Sequence, residues 1–176
     1  VIEARGWRMV VINRRGFGFN QLKNPTFIQK NETADLDFVT KRIQEIYPHA
    51  NLYMMGVSAG ANHGANYLGR VKSDTPIKAF VGISSPFNIG RISFTMKHNT
   101  RGFIFSKILA NNMKDLYRFH AHNPHFQNIM KAHKLNVDSL DRKLDKQSTC
   151  WQVDKYITHK LGGHDSVYDY YIDISS

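Results

Sequence analysis

Apolar positions along this chain follow two rhythms. Over Gly6–Asn13, Leu52–Val57 and Ile77–Ile83, apolar and β-branched residues run almost without interruption. That is the pattern of parallel strands covered on both faces. Between them the spacing lengthens. Leu36, Val39, Ile43 and Ile46 recur at helical intervals, Thr33 is placed to cap, Asp35 and Asp37 suit the first turn, and Pro48 stops the run. Ala59–Arg70, rich in small residues, predicts a helix packed closely on a sheet. The turn Asn13-Arg14-Arg15-Gly16 and a polar loop, Phe17 to Lys30, separate the first strand from the first helix. The first ninety residues thus read strand, helix, strand, helix, strand. This is an α/β arrangement, half of a doubly wound parallel sheet with right-handed crossovers.

From Ile89 the pattern changes. Arg101–His122 predicts a long helix whose apolar face includes Phe103, Ile108, Leu109, Met113, Leu116 and Tyr117. Shorter helices are predicted over His125–Lys134, Asp138–Lys146 and Trp151–Leu161, the last closed by Gly162-Gly163. A final helix over Ser166–Ile174 has Ser166 as its cap. No strand is expected in this half. The division that follows is a partial α/β core at 1–88, a helical cap or lid at 89–165, and the start of a return to the core at 166–176.

Length and charge narrow the picture only modestly. With 176 residues there is enough chain for one domain with a core of its own. Neither Val1 nor Ser176 reads as a natural terminus, so the chain is expected to be a piece of a longer protein. The net charge is +10. Residues 91–160 hold 13 Lys/Arg against 5 Asp/Glu, whereas 1–90 hold 11 against 6. Such an excess suits acidic partners, namely anionic lipid, nucleic acid or an acidic subunit, but it is dispersed rather than clustered, and a merely solvated helical face is the preferred reading. A single cysteine, Cys150, excludes an internal disulfide and favours an intracellular setting. No apolar run approaches membrane-span length.

Candidate chemistry sits where the second strand meets its helix. Gly56-Val57-Ser58-Ala59-Gly60 has the G-x-S-x-G spacing of a nucleophile elbow, a sharp strand-to-helix turn that exposes a serine. Glycines flank the serine because the turn strains the backbone and a side chain there would collide with its neighbours. Ser58 is the expected nucleophile. The backbone N–H of Ala59 is expected to face a developing oxyanion. The histidines are weaker candidates. His63 lies one turn beyond Ser58 and reads as a packing residue. His120, His122 and His125 bracket a helix end; together they lack a carboxylate or thiol that would make a metal site convincing. His164, after a helix C-cap, reads as a surface residue rather than a catalytic base. No metal or organic cofactor is implied, and no phosphate-cradling glycine loop supports a nucleic-acid enzyme.

Taken together, these motifs resemble the α/β-hydrolase superfamily, and within it the YheT-like, embryogenesis-associated esterases and lipases. The resemblance rests on Gly6-Trp7, Asn13-Arg14-Arg15-Gly16, Thr33-Ala34-Asp35-Leu36 and Tyr47-Pro48. It continues through the elbow, Asn66-Tyr67-Leu68-Gly69, Ser84-Ser85-Pro86-Phe87, Asp154 with Thr158, and Asp169-Tyr170-Tyr171. The family commonly carries Met-Gly-Gly after the serine, where this chain has Ala59-Gly60-Ala61. The resemblance implies a serine hydrolase acting on carboxylic esters or lipids. Its His-Gly oxyanion turn would lie before Val1, and its triad Asp and His after Ser176. Its basic surface is compatible with a membrane surface or a protein assembly. The other reading is a catalytically inactive hydrolase-fold subunit that serves as an interaction module.

Overall fold

The computed structural model describes residues 3–27 and 33–176. A single βαβ unit carries the α/β part. Strand β1 (Leu52–Val57) leads into helix α2 (Ala59–Val71), which returns to β2 (Ile77–Ile83). The strands pair in parallel, from Leu52 against Ile77 to Val57 against Ile83. Close approach of helix to sheet is built in at Gly64, where a Cβ would stand 2.6 Å from the Phe80 ring. Helix α1 (Thr33–Ile46) packs beside α2. The buried Tyr67 hydroxyl joins them, 3.0 Å from Thr40 Oγ1 and 2.9 Å from Thr75 Oγ1.

Two expectations about the strands need correction. Residues 7–14 adopt no sheet pairing, and Trp7, Met9, Val10 and Val11 are between 53% and 73% exposed. A β-ladder needs a neighbour, and no described strand lies beside this segment to pair with it. Burial of β1 and β2 is also one-sided. Tyr53, Met55, Val57 and Val81 are more than half exposed, because α2 covers one face and no described layer covers the other.

The second half is helical throughout, as its pattern predicts: α3 (Ile89–His98), α4 (Thr100–His120), α5 (Pro124–Ala132) and α6 (Leu140–Asp145). Then α7 (Cys150–Val153) widens into a π turn (Asp154–Thr158), tightens again as α8 (His159–Leu161), and α9 (Val167–Ile174) follows. Side-chain caps punctuate the helices: Asn88 for α3, Asn99 for α4, Asn123 for α5 and Ser166 for α9. Helix α3 is absent from the pattern reading, since Ile, Phe and Thr within a ten-residue run give little helical bias. Among the described residues no helix is long and apolar enough to cross a membrane.

The main core lies in this helical half. It gathers Ala110, Tyr117, Phe126, Met130, Leu140, Leu144, Val153 and Ile157 together with Leu22 and Phe27 from the preceding loop. Read from its sequence as a polar connection, that loop instead supplies part of the helical core. Phe27 stacks edge-on to Tyr117 and Phe126 at 6.2 and 5.8 Å. Arg15 holds the loop from the other side through Asp35, Asn24 and Thr26.

Candidate active site

Ser58 occupies the junction of β1 and α2 with φ 51° and ψ −122°. An L-residue adopts such a conformation only where the surroundings over-determine it. Three backbone bonds do so. Ser58 N–H donates to Ile83 O at 2.9 Å, and Ser58 O accepts from Ala61 and Asn62 N–H at 2.9 and 3.2 Å. Gly56 makes the turn possible, because a Cβ there would stand 2.5 Å from Gly60 O and 2.6 Å from Ala61 N. Gly60 differs from expectation. Nothing lies within 4 Å of a Cβ at that position, so within this chain the second motif glycine relieves no collision.

The Ser58 side chain is exposed and does not cap its own helix. The N–H groups of the first turn of α2 have no helical acceptor, as at any helix start. That of Ala59 has no acceptor among the described residues. An exposed hydroxyl beside an unclaimed N–H at the positive end of a helix is an arrangement able to hold an oxyanion.

Among the described residues no histidine hydrogen-bonds Ser58 Oγ. His63 sits half-buried on α2 itself. His164 is buried, not a surface residue as its position after Gly162-Gly163 predicts. It turns inward because its Nε2 meets Asp173 Oδ2 at 3.2 Å, and Asp173 in turn lies 3.5 Å from Arg70. Arg70 is twelve residues along α2 from Ser58, roughly 18 Å of helix, so His164 faces the wrong end of α2 for a catalytic base. His120 is fully buried and donates from Nε2 to Gly16 O at 2.8 Å. Among the described residues no group of three or more metal-capable side chains assembles. A shallow cleft of about 360 Å³ between Phe27, Ile129, His133 and Leu161 is not lined by Ser58 or Ala59.

Away from Ser58, the π turn carries a buried carboxylate. Asp154 Oδ2 accepts from Tyr171 Oη at 2.9 Å, and Ser93 Oγ reaches the same phenol at 3.3 Å. Asp154 Oδ1 is buried without a partner. Burial pushes the Asp154 carboxyl up to about 6, against the opposing hydrogen bond from Tyr171. The same burial, with the Asp154 charge nearby, raises the Tyr171 phenol. One turn earlier the Cys150 thiol is pushed up to about 11, chiefly by burial. Thr158 closes the group with a 2.7 Å bond to Tyr117 Oη. Sequence reasoning singled out Asp154, Thr158 and Tyr171 but not this junction, which ties α3, α4, the π turn and α9 together.

Residues 2–169 match the family described as alpha/beta hydrolase fold. The chain belongs to that family. The strand–turn–helix unit that carries Ser58 lies within the matched residues. Among curated relatives, the chain is 27% identical to the monoacylglycerol lipase of Saccharomyces cerevisiae, over 94% of this chain and 36% of that protein. It is 30% identical to the embryogenesis-associated protein EMB8 of Picea glauca, over 100% of this chain and 37% of that one. It is 28% identical to phospholipase ABHD3 of Bos taurus, over 98% and 39%. The chain thus spans well under half the length of these relatives. No solved structure matches it.

Proposed function

We propose that this chain is the nucleophile-bearing part of a serine hydrolase that cleaves carboxylic esters of lipids. Ser58 Oγ attacks the ester carbonyl, and the Ala59 N–H helps to hold the oxyanion. The aspartate and histidine that activate Ser58 would come from chain beyond Ser176, and the other oxyanion donor from chain before Val1. The observation that carries this reading is the Ser58 backbone, strained at φ 51° and presenting an exposed hydroxyl at a helix start. Relatives named as a monoacylglycerol lipase and a phospholipase support an acyl-lipid substrate. The helices over 89–165 serve as a cap, residues 166–176 lead back to the core, and the excess of cations over 91–160 suits a substrate held in a membrane surface.

The test is covalent labelling of the full-length protein by a fluorophosphonate, read by intact mass beside a Ser58→Ala variant. Labelling that disappears in the variant supports Ser58 as nucleophile. A folded full-length protein that takes up no label overturns the reading, leaving the alternative of an inactive hydrolase-fold interaction module.

A further inference from the structure

Ser58 is closed into a circuit of bonds. Its N–H donates to Ile83 O at 2.9 Å, and its carbonyl accepts from the Asn62 N–H at 3.2 Å. The chain runs on from Ile83 through Ser84 and Ser85 to Pro86, and Asn62 Nδ2 donates to Pro86 O at 3.2 Å. The circuit thus passes from Ser58 through Ile83, Pro86 and Asn62 and returns to Ser58. Two of its residues have a positive φ, Ser58 at 51° and Ser84 at 52°. Non-glycine residues persist in such a conformation only where their surroundings over-determine it. Two of the circuit's hydrogen bonds join backbone groups; the third comes from the Asn62 side chain. That side chain is buried at 3% exposure, in a place where an apolar residue would carry no polar cost. Its amide is engaged at both ends: Nδ2 also donates to Ser176 Oγ at 3.1 Å, and Oδ1 accepts from Asn66 Nδ2 at 3.3 Å.

We propose that Asn62 is a positioning residue for Ser58. The inference rests on the reading above, in which Ser58 is the nucleophile. Attack requires the hydroxyl within hydrogen-bond reach of its base and in line with the ester carbonyl. The Asn62 amide ties the first turn of α2 to the loop leaving β2, and so holds the two backbone partners of Ser58 in one arrangement. Without it Pro86 O loses a donor and Ser84 is free to leave its positive φ. Ile83 O, which accepts the Ser58 N–H, then shifts with its neighbour. A misplacement of Ser58 by about 1 Å would slow the reaction on the order of 100-fold while leaving ground-state binding of the substrate intact. An apolar side chain of similar size fills the same space but cannot close the circuit.

The experiment compares full-length Asn62→Leu and Asn62→Ala with the parent and with Asn66→Ala. The last removes the bonds to Asn62 Oδ1 and Ile174 O but leaves the circuit closed. Fluorophosphonate labelling counts competent sites, and hydrolysis of a soluble short-chain ester is expressed per labelled site. The Asn62 variants are expected to fold, to lose roughly 10- to 100-fold in labelling rate and in kcat, and to keep the parent's KM. Asn66→Ala is expected to lose stability without that loss of rate. A merely structural role for Asn62 would lower the melting temperature and the number of labelled sites, with kcat per site unchanged. That result overturns the proposal. So does a rise in KM in place of a fall in kcat, an Asn66→Ala protein as slow as the Asn62 variants, or the failure of both Asn62 variants to fold. A folded parent that takes up no label overturns the hydrolase reading and this proposal with it, whereas a labelled parent beside variants of equal rate overturns this proposal alone.

Discussion

Replacing Asp154 by Asn tests the buried junction directly. The carboxyl is wholly enclosed, and its pKa stands at about 6 against an ordinary 3.8. It binds its proton more tightly in the folded protein than in the unfolded chain. Its stabilising contribution is therefore complete below pH 4 and is lost as pH rises through about 6. A gap of roughly two units corresponds to about 3 kcal/mol. Asparagine keeps a carbonyl for Tyr171 Oη and never ionises. The stability difference between Asp154→Asn and its parent should thus swing by about 2.5 kcal/mol in favour of the variant between pH 4 and pH 7.5. Urea unfolding of both proteins at several pH values, followed by circular dichroism, measures the swing. Using the difference cancels most of the titration of the remaining acids, which the two proteins share. Curves that stay parallel within about 0.5 kcal/mol, the scatter of ordinary surface changes, would refute the account of a carboxylate ionised at the expense of the fold.

Other substitutions probe the elbow and the core. Gly56→Ala places a methyl 2.5 Å from Gly60 O and should cost roughly 2–4 kcal/mol by chemical denaturation; a neutral result would show that the turn can open. Ser58→Gly removes the side chain that makes φ 51° costly and should raise the melting temperature by a few degrees, roughly 1 kcal/mol after the entropy of glycine is set against it. The same variant should lose fluorophosphonate labelling, and a fall in melting temperature would argue against backbone strain. Phe27→Ala empties a buried ring site beside Tyr117, His120 and Phe126 and should destabilise by about 3–5 kcal/mol. If the loop were only a polar connection, calorimetry would show almost no change.

How much of this was legible in the sequence varies with what each element needs from its neighbours. The βαβ unit was legible because its signals are local: apolar runs, small residues and the glycines at 56 and 64 act over a few positions. The long helix α4 was legible for the same reason, ending within two residues of its predicted stop. The segment 7–14 has an equally clear apolar run but no ladder, since pairing depends on a strand that the local pattern does not contain. Leu22 and Phe27 were missed because a loop residue's burial is decided by helices a hundred positions away. At the candidate site, the strand-to-helix turn at Ser58 was legible from spacing alone. The inward turn of His164 was not, because Asp173 draws it in from the next helix.

Asn66, Pro86, Phe87, Asp154 and Tyr171, among the residues on which the family resemblance rests, take part in polar joints. Asn66 Nδ2 donates to Ile174 O at 3.1 Å, and Asn62 Nδ2 reaches Pro86 O and Ser176 Oγ at 3.2 and 3.1 Å. Ser176 N–H donates to Phe87 O at 2.9 Å, and Ile89 N–H to Ser175 Oγ at 3.0 Å. These bonds fasten the end of α9 to the flank of α2 and to the loop leaving β2, one turn from Ser58. Through Tyr171 the same α9 is bonded to Asp154 and Ser93. The helical half therefore meets the elbow through directional hydrogen bonds between partly buried groups, whose loss leaves unsatisfied donors and acceptors at about 1–3 kcal/mol each. The position of this joint explains how a turn strained at Ser58 is held in one conformation: Asn62, whose N–H already bonds Ser58 O, is fixed at its other end by Pro86 and Ser176. Both ends of the first helical turn of α2 are thus hydrogen-bonded.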